Sequence, residues 1–131
     1  MDALDITRSL VRQVISAYWK ETEAPLGGQA KLREFPSDIS LVPLEPELRD
    51  LAEKMGTKAA ELDVLDASYR IGVLYTGLMP DERRARLGAH YTPQALCQRL
   101  LDMAEEAGVK WDTARVLDPA CGGGAFLSPI S

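Results

Sequence analysis

Apolar residues recur at helical spacing over most of this sequence, and only one short run, "ARVLD" at 114–118, reads as a buried strand. That imbalance constrains the fold more than any other feature. A lone strand leaves a row of backbone donors and acceptors without partners. The chain by itself is therefore expected to fold as packed helices, with its C-terminal part, from about Val116, poorly held or borrowing contacts from another copy.

The helices follow from the spacing. Leu4, Ile6, Leu10, Val11, Val14, Ile15, Tyr18 and Trp19 mark one face of a helix over 3–21. Pro25, Gly27, Gly28 and Pro36 then interrupt any regular element. A second helix is expected over 46–55, with Pro46 in its first turn and Gly56 as its stop. A third is expected over 57–78, capped by Thr57 and striped by Leu62, Leu65, Tyr69, Val73 and Leu74. Gly72 inside it costs about 1 kcal/mol relative to alanine, which suggests either a close contact or a tolerated glycine. Pro80 ends that helix, and "DERRARLG" forms a short helical connector. Residues 93–107 read as a further helix with Thr92 as N-cap, Pro93 at the first position and Gly108 past the end. Leu96, Leu100, Leu101 and Met103 give it one buried face.

Charge and cysteine usage narrow the function classes. A formal net charge of −5 argues against this chain alone being the main grip on nucleic acid. Its one basic run, Arg83, Arg84 and Arg86, reads as a solvated stretch of helix or a phosphate contact. No apolar run approaches the roughly 20 residues that span a bilayer, and the N-terminus is acidic where a secretory leader is basic. Cys97 and Cys121 have neither metal-ligand spacing nor a disulfide framework. A cytoplasmic protein with no metal site and no membrane partner is expected.

The most specific chemistry lies after the candidate strand. Gly122, Gly123 and Gly124 allow close backbone approach to a ligand and tolerate positive φ. "AFL" would then open a helix whose unpaired N–H groups face the same spot. No lysine followed by serine or threonine is present, which excludes a nucleoside-triphosphate loop. Leu127 stands where a dinucleotide fingerprint wants glycine or alanine. Asp118, followed by Pro119, would pair with an ammonium group and repel a pyrophosphate, so the expected ligand is partly cationic.

"DPACGGGAFL", at 118–127, closely resembles the first motif of S-adenosylmethionine-dependent adenine-N6 DNA methyltransferases. "LGAHYTP", at 87–93, resembles the other cofactor motif of that family, and the order of the two is that of the gamma class. This resemblance implies a mainly α chain: a helical N-terminal region at 1–80, then at 81–131 the first helix, strand and glycine turn of a Rossmann-like α/β methyltransferase domain. The chain would be the front part of a larger enzyme, often of restriction–modification type. S-adenosyl-L-methionine is the implied cofactor. The residues implied to bind it are Tyr91, Thr92, Pro93, Asp118, Pro119, Ala120, Gly122, Gly124 and Phe126. Asp118 would orient the ammonium, Thr92 would bond the carboxylate, and Phe126 would either pack or stack on the cofactor. The Asn/Asp-Pro-Pro-Tyr/Phe motif that holds the flipped adenine is absent from these residues, so no catalytic residue is assigned. The implied partners are DNA, through regions beyond this chain, and specificity or nuclease subunits. Two positions depart from the pattern: Gly123 stands for the commoner serine and His90 for the first aromatic. A different class of reading makes the first 80 residues a subunit-interaction module without activity of its own.

Overall fold

The computed structural model describes residues 2–23 and 40–130, and within them the chain is all-helical. The breaks at Pro25, Gly27, Gly28 and Pro36 lie outside the described residues. Among the described residues five α-helices follow one another: α1 (Ala3–Glu23), α2 (Pro46–Ala59), α3 (Val64–Leu78), α4 (Asp81–Leu87) and α5 (Gln94–Glu106). A 3-10 turn at Ser128–Ile130 comes last. No described helix is long and apolar enough to cross a membrane.

The core lies where α1 meets α2 and α3. Leu10, Val11 and Val14 of α1 and Ala52 of α2 are buried together, with Leu48, Met55, Ile71, Leu74 and Tyr75 packed around them. The α1 pattern is the one expected from spacing. Two buried polar side chains on α1 are satisfied across elements. Thr7 Oγ1 donates to the Leu78 carbonyl at 3.1 Å, tying α1 to the end of α3, and Ser9 Oγ accepts from the Val42 amide at 2.8 Å.

Helix ends correct the sequence reading at three places. Gly56 does not stop α2, which runs on to Ala59. Ala52, Gly56 and Ala59 are buried at helical spacing and form the face that receives α1. A Cβ built on Gly56 would collide with the Val14 carbonyl and lie 2.6 Å from Ala17 Cβ. The glycine is there for close approach. Thr57 is consequently inside α2, and α3 begins at Val64 with Asp63 as its cap. Asp63 Oδ1 accepts from the Leu65 and Asp66 amides, each at 3.0 Å.

The end of α5 at Gly108 agrees with expectation, and α4 closes in the same way at Gly88. Gly88 (φ 60°) and Gly108 (φ 100°) close α4 and α5 in the left-handed region, where a Cβ is strained. The bonds Ala89 N–H to Arg84 O and Gly88 N–H to Ala85 O finish α4, and Val109 to Ala104 with Gly108 to Glu105 finish α5. This is the Schellman pairing. The start of α5 differs: Pro93 is the cap residue and no side chain, Thr92 included, caps it.

The expected strand is absent among the described residues: 114–118 has no regular structure, and Leu117 is 86% exposed. The physical reason is the one that made a lone strand a poor element, since no second strand pairs with its backbone. The α/β part of the expected fold is therefore not formed here. The helix expected after the glycines is also replaced, by turns and the 3-10 segment. Nor does α5 have the expected buried face. Cys97 and Leu101 are buried, whereas Leu96, Leu100 and Met103 are about half exposed (50%, 44% and 49%).

Candidate functional site

The glycine segment folds as a tight turn held by its own backbone. Gly122 (φ 53°) and Gly124 (φ 82°) take left-handed conformations, as their residue type allows. The Gly124 amide donates to the Cys121 carbonyl at 2.7 Å, and the Ser128 amide to the Gly124 carbonyl at 2.9 Å. Upstream, Asp118 Oδ1 accepts from the Ala120 amide at 3.0 Å, which bends the chain at Pro119. Asp118 is half-buried, Pro119, Ala120 and Gly122 are exposed, and Phe126 is half-buried. Cys121 is an exposed free thiol.

The second candidate motif lies against this turn through one residue. The Cε2 edge of the Tyr91 ring packs against both Gly72 of α3 and Gly123, which adjoin each other. A Cβ built on Gly123 would lie 2.8 Å from Tyr91 Cε2 and 3.2 Å from Gly72 Cα, and one built on Gly72 would overlap the Tyr91 ring. Tyr69 of α3 stands edge-on to the same ring, with centroids 5.1 Å apart and planes at 75°. Such an arrangement aims the positive ring edge at the negative ring face. Burial raises the Tyr91 pKa, with smaller contributions in the same direction from Cys97 and Tyr69.

Thr92 and Pro93 follow at the entry to α5, where the Pro93 carbonyl accepts from the Leu96 and Cys97 amides. Buried Cys97 lies below them, its Sγ 3.9 Å from the Thr92 carbonyl. Burial pushes this thiol up, and a hydrogen bond with its own backbone partly opposes the shift. Thus Tyr91 is brought to the glycine turn. Among the described residues no hydrogen bond joins Thr92 to Asp118.

Sequence reasoning missed a groove beside the turn. It has a volume of about 560 Å³ and runs between α1 and α3, with Ile15, Tyr18, Trp19 and Tyr75 on its walls and Gly122 and Gly123 at one end. Tyr18 and Trp19 are half-buried on this groove. The only prior signal was Gly72, whose place inside a helix suggested a close contact. Two arginines of the basic run on α4 are in surface ion pairs, Arg83 with Asp2 at 3.8 Å and Arg84 with Asp81. Among the described residues no cluster of His, Cys, Asp or Glu could hold a metal ion. No protein-family model matches the chain, and neither a curated protein nor a solved structure does.

Proposed function

We propose that this sequence is the N-terminal part of a DNA methyltransferase. The enzyme would transfer the methyl group of S-adenosyl-L-methionine to N6 of adenine, in a cytoplasmic restriction–modification or phage-defence system. The reaction breaks the sulfonium S–CH3 bond, forms the N–CH3 bond and releases S-adenosylhomocysteine and a proton. One observation carries the reading: the two stretches that resemble the cofactor motifs, far apart in sequence, meet at Tyr91 and Gly123.

In this reading the glycine turn admits the methionine end of the cofactor, Asp118 faces its ammonium and Thr92 its carboxylate. Pro93, Pro119 and Ala120 shape the two backbones, and Phe126 packs behind them. The base-binding motif, the DNA contacts and the docking of specificity or nuclease subunits would come from outside these residues. The decisive experiment incubates a longer protein carrying this sequence with labelled donor and duplex DNA, then digests the DNA to nucleosides. Label on N6-methyladenosine supports the proposal. Label on cytosine or on protein overturns it.

The alternative, in which the first 80 residues form a subunit-interaction module without activity of its own, is favoured by the apolar Leu51, Val64, Val73 and Leu78 left exposed on α2 and α3. The 131-residue chain is expected to bind S-adenosylmethionine weakly or not at all, because no sheet among the described residues supports the turn. A low-micromolar dissociation constant by calorimetry would contradict that expectation.

A further inference from the structure

We infer that Gly72 and Gly123 are positioning residues: their adjoining backbones form the floor of a slot that seats the edge of the Tyr91 ring, and through this contact α3 sets the place of the glycine turn. Naming that turn a cofactor turn rests on the proposed function; the slot itself does not. Three backbone segments converge here. Gly72 is buried on α3, and a methyl group on it would overlap Tyr91 Cε2 and lie 2.6 Å from its hydroxyl oxygen. Gly123 lies beside Gly72 against the same edge of the ring, and a methyl group there would meet Tyr91 Cε2 at 2.8 Å and the Gly72 Cα at 3.2 Å. The second of these neighbours is main chain and cannot rotate away. The ring cannot swing freely either, because Tyr69 stands edge-on against it.

The slot also gives a physical reason for glycine at 123. Any side chain there, the serine hydroxymethyl of the resembling motif included, would drive the turn off α3. The helical region would then be more than a neighbour of the candidate methyltransferase segment: its third helix forms part of the support of the turn. Gly77, on the same helix, has no atom within 4 Å of a built Cβ and serves as the control.

The test uses the 131-residue chain, with the Gly124 and Ser128 amides as reporters because both are hydrogen-bonded within the turn. Their hydrogen exchange is followed by NMR in Gly72→Ala, Gly123→Ala and Gly77→Ala, together with nuclear Overhauser contacts between the Tyr91 ring and the α protons of residue 123. Gly72→Ala and Gly123→Ala are expected to speed exchange at both amides by about tenfold or more and to lose the ring contacts, as overpacking against fixed neighbours does. The helical circular dichroism should persist, and Gly77→Ala should change neither readout. Adding Tyr91→Leu to Gly72→Ala removes the ring that the new methyl meets and should restore slow exchange, a rescue that general helix destabilisation would not produce. Unchanged exchange in both slot variants, equal acceleration in Gly77→Ala, or no rescue overturns the inference. If Gly72→Ala does not fold, Gly123→Ala carries the test, because it lies outside the α-helices. No cofactor is needed for any of these measurements, so failure of the methyltransferase reading would leave their outcome intact.

Discussion

Gly56 and Val14 lie backbone to backbone: a methyl group on Gly56 would collide with the Val14 carbonyl and sit 2.8 Å from the Tyr18 amide nitrogen. Because these neighbours are main chain, relief requires α1 and α2 to move apart. Gly56→Ala should gain about 1 kcal/mol of helix propensity and lose more than that in packing, where overfilling typically costs about 1–3 kcal/mol. The expected net result is a lower midpoint in urea denaturation. An unchanged or higher midpoint would show that the two helices separate at little cost.

The start of α3 offers a comparison between two candidate caps. Asp63→Ala removes the acceptor for two orphan amides and should destabilise the chain by about 1 kcal/mol. Thr57→Ala, at an exposed position inside α2, should change stability little. Denaturation of the two variants side by side checks this. Equal losses would return the cap to Thr57.

Alkaline pH should weaken the fold. Burial holds the protons of Cys97 and Tyr91 above the values of about 9 and 10 that these groups have when free. Above pH 9 the unfolded chain therefore binds fewer protons than the folded one, and stability falls as pH rises. The contribution is complete below pH 9 and disappears as the pH passes through the folded-state values. Denaturation midpoints measured from pH 8 to 11 should decline, with a shallower slope in Cys97→Ala. The exposed Cys121 should react with a thiol reagent in the native state, whereas Cys97 should react only on unfolding.

Asp118 allows charge and turn geometry to be separated. Its Oδ1 already accepts from Ala120, so Asp118→Asn retains an acceptor while removing the charge. In a longer protein carrying this sequence, Asp118→Asn should weaken S-adenosylmethionine binding by about 1–3 kcal/mol, the size of a lost charge-assisted hydrogen bond. Calorimetric titration of the folded variant measures this. Unchanged affinity would assign Asp118 to the turn alone.

What the amino-acid sequence determined by itself is local. The apolar face of α1, the short helix after Pro80, and the glycine closure at Gly108 follow from spacing, ring constraint and left-handed backbone, which need only near neighbours in the chain. The two candidate motifs are legible for the same reason: each is a contiguous string. Tertiary structure decided the rest. Gly56 has the residue type of a stop, but α1 lies against it and the helix continues. Thr57 and Asp63 both have cap chemistry, and the course of α2 past Gly56 settled which one serves. Residues 114–118 are apolar enough for a strand, but a strand exists only when another completes its hydrogen bonds, a condition no single segment can meet. The meeting of Gly72, Tyr91 and Gly123 is likewise invisible along the chain, because it depends on three separate backbones arriving at one place.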